Sequence, residues 1–265
     1  MKGSNGKMRE KNKIIMSKIL KVCGKDTDIK YLKMKNLITE KYCVNDVITF
    51  NNGSKWNLGN MKGGYPFEIC GKRFYTSESA YICGLTDNEE FQNELLNCKN
   101  GFVAKKFIKN KHKDLIRKDA ENYKVEWMKY VVWCKCCGNV DFKNLLLSTG
   151  DKIIVEDAAN IKSGTADFWG CKLVDGVYVG GNVMGKILME CRDSLVNGTI
   201  PDIDLCKLDD SFIGWFGKKL YFGGWSFWRF FQNHFNYTDE YSFYNMDDEE
   251  YNQLKNRCLV DASLD

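Results

Sequence analysis

A chain of 265 residues with 44% hydrophobic and 14% aromatic content can bury a sizeable core, and its length fits one large domain or one domain with extensions. No run approaches the roughly 20 apolar residues that cross a bilayer, and residues 1–13 are too polar for a secretory signal, so an intracellular, cytoplasmic protein is expected. The net charge is +4, yet residues 1–41 carry twelve Lys/Arg against four Asp/Glu, a net of +8 that leaves −4 for the remainder.

The basic stretch, residues 1–45, reads as an extension: a solvated segment, or an arm that touches a phosphate backbone through residues 1–41. Residues 47–50, VITF, read as a strand and 56–66, WNLGNMKGGYP, as loop. A hairpin over 67–74 around Cys70 and Gly71 delivers Thr76 and Ser77, either able to cap a helix containing Glu78, Tyr81 and Ile82. Glu78 then lies in a first turn, where the helix dipole favours a negative charge whether or not it has a further role. Residues 102–118 and 122–136 read as two helices. In the second, Trp127, Tyr130, Val131 and Cys134 form a core stripe. The KKFIKNKHK run of the first is its wet face, or a hold for a polynucleotide backbone if it borders a pocket. A short helix over 141–148 ends at Gly150.

The stretch 153–192 is the densest in polar chemistry. Residues 153–155 read as a buried strand, and 172–179 as a hairpin turning at Asp175 and Gly176. Counting outward pairs Val174 with Val177, Leu173 with Tyr178 and finally Trp169 with Asn182. Asn182 can cap a helix starting near Met184, whose residues Met184, Leu188, Cys191 and Leu195 share one stripe. Gly180, Gly181 and Gly185 permit close backbone approach, and free N–H groups at that helix start attract an anion such as phosphate. The same spacing fits an ordinary Gly-rich helix entry.

Twelve cysteines in a chain with a full-sized core are expected as thiols. Cys134, Cys136 and Cys137 lack a second C-x-x-C pair, so a buried thiol cluster is expected and no metal site. The aromatic run 212–237 is expected to dock on the main domain or a partner subunit, with attachment to a membrane surface as the lesser reading. The tail beyond it is acidic, with DDEE at 247–250.

The segment 48–196 resembles the NADAR family, named for its association with NAD and ADP-ribose. VED (155–157), FWG (168–170) and GNVMGKILMECR (181–192) are similar to the family's acid, Trp-Gly and Asn-x-x-Gly-x-x-Leu-Met-x-x-Arg elements. ITFNNGSKWNLGN (48–60) followed by PFEICGKRFYTSESAY (66–81) resembles its opening, while AKKF, EWMKYVVWCKC and LLLSTG follow its order of helices. The resemblance implies an α+β, predominantly α-helical single domain with small β-hairpins over 46–198. The basic arm (1–45) precedes it, and an aromatic-rich, then acidic extension (199–265) packs on it.

The resemblance also implies chemistry: an N-glycosidase hydrolysing the ribose C1–N bond of an ADP-ribosylated guanine base or a related phosphoribosyl nucleotide. Breaking that bond builds positive charge at C1, which calls for carboxylates, an acid for the leaving nitrogen and donors for phosphate. By resemblance Glu78 is the principal carboxylate and Glu156 a supporting acid, with Asp167 close to a third acidic position that Asp157 could fill instead. Asn60, Trp169, Gly170, Asn182, Gly185 and Lys186 are the substrate-binding set: Trp169 stacks on base or sugar, Asn182 orients ribose hydroxyls, and Gly185 with Lys186 takes phosphate. Glu78, Glu156, Trp169 and Asn182 are expected to line one cleft, with Arg192 in a supporting ion pair. The reaction needs no cofactor. Leu85 stands where the family often has a lysine able to attack an opened sugar, Ala120 where it has tryptophan, and Ser79 where it often has histidine. Lys135 matches a later family lysine, and Lys105, Lys106 and Lys186 are other candidate amines. These departures leave a second reading, a module that binds ADP-ribose, NAD or a modified nucleotide in toxin–antitoxin or virus–host conflict.

Overall fold

The structure, a computed structural model, describes residues 40–51, 57–110, 112–161, 166–210 and 213–220. The expectations for residues 1–39, for the aromatic run beyond 220 and for the acidic tail lie outside the described residues. In chain order the elements are β1 (Glu40–Cys43), β2 (Val47–Phe50), β3 (Phe67–Ile69), β4 (Lys72–Phe74), α1 (Ser77–Cys83), α2 (Glu89–Leu96), α3 (Gly101–Asn110), α4 (Ala120–Gly138) and α5 (Val140–Leu147). They continue with β5 (Ile153–Glu156), α6 (Ala166–Trp169), β6 (Cys171–Val174), β7 (Val177–Gly180), α7 (Val183–Asn197), α8 (Leu205–Asp210), β8 (Gly214–Trp215) and β9 (Lys218–Lys219). This is an α+β architecture dominated by helices. It falls into two compact units, each assembled from two chain segments.

Of the described residues, the first unit holds 40–51, 149–161 and 166–189. Its larger sheet has the order β1-β7-β6, antiparallel throughout. Val174 pairs with Val177 and Leu173 with Tyr178, as counted from the turn, and Asp175 (φ 49°) and Gly176 (φ 78°) both sit in the left-handed region that a type I′ turn requires. The ladder stops at Cys171 opposite Gly180, so the expected Trp169–Asn182 strand pair does not form. Trp169 closes the one-turn helix α6, and Asn182 N–H donates to Gly170 O at 3.2 Å. β2 and β5 pair in parallel, from Val47 with Ile153 to Phe50 with Glu156. Tyr42, Val155, Cys171 and Tyr178 form a buried cluster, flanked by Val47 and Ile153. β1 comes from the stretch read as a basic arm: Glu40 and Lys41 belong by charge to that arm, but Tyr42 alternates into the core.

Of the described residues, the second unit comprises 57–110, 112–148, 190–210 and 213–220. Its helices start on side-chain caps of the expected kind: Thr76 Oγ1 accepts from Ser79 N–H (3.1 Å), Asn88 Oδ1 from Phe91 N–H (2.8 Å) and Asn139 Oδ1 from Phe142 N–H (3.0 Å). α2 is not among the elements expected from the sequence. Its signal was there, a capping Asn88 followed by Glu89 and Glu90 in the first turn. The helix expected over 102–118 ends at Asn110 because the following chain serves other partners. Arg117 N–H donates to Leu85 O at 3.0 Å, and its guanidinium pairs with Asp87 (3.0 Å) and Asp119 (2.5 Å).

α4 carries the expected stripe of Trp127, Tyr130, Val131 and Cys134, all buried, but Met128, Val132, Trp133, Lys135 and Cys136 are buried too. Trp127 Nε1 donates to Tyr81 O at 2.9 Å, which fixes the end of α1 against α4. The β8–β9 hairpin, the described start of the aromatic run, packs Trp215 5.6 Å from Phe74 and 5.5 Å from Trp127, centroid to centroid. Gln92 locks it: Nε2 donates to Cys83 O (2.9 Å), Thr86 O (2.7 Å) and Gly214 O (2.8 Å), and Oε1 accepts from Phe216 N–H (2.7 Å). Among the described residues no helix is long and apolar enough to cross a membrane, and no group of three or more His, Cys, Asp or Glu could hold a metal ion.

Lys135 is 1% exposed, and its ammonium lies 4.0 Å from the Phe142 ring centroid and 5.3 Å from that of Tyr65. Two ring faces do not replace a hydration shell, so burial pulls its pKa down to about 7. Between about pH 7 and the ordinary 10.5 the unfolded chain holds a proton that the folded one has released, so this group's contribution to stability rises with pH across that window and is flat below it. Lys135→Met should therefore be most stabilising relative to wild type at pH 6, with the advantage shrinking by up to about 1.4 kcal/mol per pH unit above pH 7. Urea unfolding at three pH values reads this directly, and a pH-independent difference would contradict it.

Candidate active site

Glu78 sits in the first turn of α1, in the second unit. Its amide donates to Asn60 O at 3.1 Å, while Gly101 N–H donates to Met61 O at 3.2 Å. The loop at Asn60 and Met61 is thus stitched to the starts of both α1 and α3. Gly101 makes the close approach possible: a Cβ there would lie 2.7 Å from Met61 Cα and 3.0 Å from Glu78 Cβ. Glu78 remains partly exposed, yet burial of its carboxyl raises its pKa above the usual 4.5, opposed by the cation of Lys105 on α3. The charge of Glu78, together with Glu121 and above all burial, pushes the Tyr81 phenol up as well. A carboxylate is therefore held with little water, beside one lysine and one tyrosine, at the edge of solvent. Asn60 amide Nδ2 donates to Met128 Sδ at 3.4 Å.

Residues around Glu78 where the chain departs from the family pattern have structural tasks. Ser79 is buried and donates to Cys98 O; Leu85 and Ala120 are buried too. Leu85 lies just past α1, where its carbonyl anchors Arg117.

In the first unit Glu156 ends β5 and is partly exposed, as is Trp169; the Trp169 ring stands edge-on to Phe168, centroids 5.2 Å apart. Asp167 is buried, and its carbonyl accepts from Gly181 N–H at 2.7 Å. Gly170 backs onto β5, where a Cβ would meet Glu156 O at 2.6 Å. Asp157 is taken up by Ala159 N–H (2.9 Å) and Asn51 Nδ2 (3.2 Å).

Asn182, for which the resemblance implies a ribose contact, holds β5. It is fully buried, with φ 47°, and its amide spans β5: Nδ2 donates to Ile154 O (2.8 Å) and Oδ1 accepts from Glu156 N–H (3.1 Å). Its carbonyl accepts from Lys186 N–H at 3.0 Å at the start of α7, and its side chain fixes the backbone of Glu156. Gly185 is required for the same packing, since a Cβ there would lie 2.2 Å from Ile154 O. Lys186 pairs with Glu40 at 2.7 Å, and Tyr42 OH donates to the same carboxylate. A phosphate at this helix start would compete with Glu40 for Lys186, a partner hidden from the sequence reading because Glu40 was counted with the arm. Arg192, buried in the second unit, lies 3.6 Å from Asp193.

The NADAR domain matches residues 41–196, more than half of the chain, and the chain belongs to that family. It is 34% identical over 82 residues to the N-glycosidase Npun_R5314 of Nostoc punctiforme, covering 31% of this chain and 47% of that protein. The match thus spans about half the length of that relative. It is 27% identical over 164 residues to the N-glycosidase YbiA of Escherichia coli, covering 61% of this chain and 91% of the relative. The NMR structure of E. coli YbiA aligns with a TM-score of 0.48 at 24% identity, covering 58% of this chain and 87% of that one.

Asn182→Ala would strand two buried peptide groups of β5, a loss of about 2–4 kcal/mol. Thermal or urea unfolding should show that loss in the absence of ligand. Unchanged stability with weakened ADP-ribose binding would return Asn182 to the ribose.

Proposed function

We propose that the protein is an N-glycosidase that hydrolyses the ribose C1–N bond of an ADP-ribosylated guanine base or a related phosphoribosyl nucleotide, with Glu78 as its principal carboxylate. The reading rests on family membership and on one observation, the carboxyl of Glu78 held out of water at a partly exposed position. As the C1–N bond breaks, its electron pair leaves with the nitrogen, which takes a proton. The cationic sugar then gains the oxygen of water, which gives up a proton in turn. A carboxylate facing the developing cation in a poorly solvated recess acts more strongly than one in bulk water, because little solvent competes for its charge. The same proposal gives Glu156 and Asp167 supporting acidic roles, Trp169 with Gly170 the stacking wall, and Gly185 with Lys186 the phosphate end.

A binding module without turnover is the second reading, favoured by Leu85, which is packed away where an amine able to attack an opened sugar would stand. The two readings part in one assay, release of ADP-ribose from an ADP-ribosyl-guanosine oligonucleotide followed by chromatography. For the enzyme, Glu78→Gln should lower release at least about a hundredfold with ADP-ribose affinity little changed. If the ionised Glu78 does the work, activity rises with pH through its pKa, above the usual 4.5, and Lys105→Met shifts that limb to still higher pH by removing the cation that lowers it. Wild type that binds ADP-ribose but releases no product would support the module instead.

A further inference from the structure

α3 has two unlike faces. Gly101 and Ala104 are buried, and the helix packs on α1. Phe102, Lys105, Lys106 and Lys109 fall at i, i+3, i+4 and i+7 and so share one stripe, and all four are exposed, Phe102 at 51%. A surface helix ordinarily turns such an aromatic inward. Here Phe102, with Val103 at 44% exposure beside it, heads a row of cations. From Lys99 to Lys113 the chain has six lysines and no aspartate or glutamate, and among the described ion pairs none involves Lys105, Lys106 or Lys109. The row begins beside Glu78, which Gly101 abuts and on whose carboxyl the cation of Lys105 acts.

We propose that this exposed face of α3 binds a single-stranded polynucleotide, with phosphates on Lys105, Lys106 and Lys109 and an unstacked base on Phe102. Lysines supply the phosphate attraction, and a bare aromatic face adds stacking that only an unpaired base can use. A membrane-lying helix would need a broad apolar face with its lysines at the flanks; on α3 three of the four residues of the exposed stripe are lysines, and the exposed apolar residues are Phe102 and Val103 in its first turn. The inference rests on the proposed function only in placing the strand beside Glu78.

The test uses the full chain and the anisotropy of a fluorescein-labelled oligothymidylate of about 15 nucleotides, read from about 50 to 200 mM salt. The double variant Lys106→Glu, Lys109→Glu should lower the magnitude of the log–log salt slope by about 1.4, two single-strand phosphate contacts. Phe102→Ala should weaken binding at least about fivefold with the slope unchanged. A duplex of the same length should bind more weakly than the single strand. Glu78→Gln should bind the oligonucleotide as wild type does, so loss of turnover leaves this surface intact. Variants that bind like wild type would overturn the proposal and assign the affinity to the basic residues 1–39. Equal affinity for duplex and single strand would remove the stacking role of Phe102, and capture by phosphatidylserine vesicles in place of the oligonucleotide would identify a membrane face.

Discussion

In the second unit, backbone bonds around the start of α1 hold the Glu78 carboxyl where burial raises its pKa. Glu78 can be held that way because its neighbours are fixed by backbone and not by flexible side chains: its own amide is tied to Asn60 O, and Met61 O to Gly101 N–H. The Gly101 approach brings α3, with Lys105, to the carboxylate. Thr76 starts α1, Trp127 holds its last turn through Tyr81 O, and Gln92 takes the carbonyl of Cys83 where the helix ends. These bonds restrict where the carboxyl can go to find water, and its raised pKa follows from that restriction.

The β8–β9 hairpin joins this arrangement from outside the family match, which ends at residue 196. Trp215 contributes an edge-on contact to Trp127, of a kind that adds about 0.5–1.5 kcal/mol beyond its buried area. Phe216 adopts φ 50° to make the turn, a strained choice for an aromatic residue that the hydrogen bond from its backbone N–H to Gln92 Oε1 and the Lys72 ammonium 4.6 Å from its ring help offset. In the first unit the equivalent organising group is the Asn182 amide, which sets β5 and so the backbone of Glu156.

The readable parts of the fold were those written in local chemistry. Asp175-Gly176 specifies a tight hairpin, so its strand register follows by counting, and Cys70-Gly71 marks the place of the other. Trp127, Tyr130, Val131 and Cys134 recur at helical spacing, so the core face of α4 followed too. Pairings between distant segments were not legible: β1 against β7 and β2 against β5 depend on residues far apart in the chain. The same limit governs the site. Ser-Glu at a helix start marked Glu78, but its cation, Lys105, is seen only once Gly101 brings α3 close. Asn182 was picked out by motif, and only the fold shows its amide spent on the backbone. Lys135 is expected only as a match to a later family lysine; its burial against Tyr65 and Phe142 arises because the C-terminal half of α4 is enclosed on nearly every side.

The central claim is that Glu78 is a carboxylate deprived of water and held near the cation of Lys105. NMR titration of the full chain with glutamate side chains labelled at the carboxyl carbon, assigned by comparison with Glu78→Gln, measures it without any substrate. The account predicts a midpoint for Glu78 above the usual 4.5. A midpoint at or below that value would show a well-solvated or strongly paired carboxylate and would contradict the account.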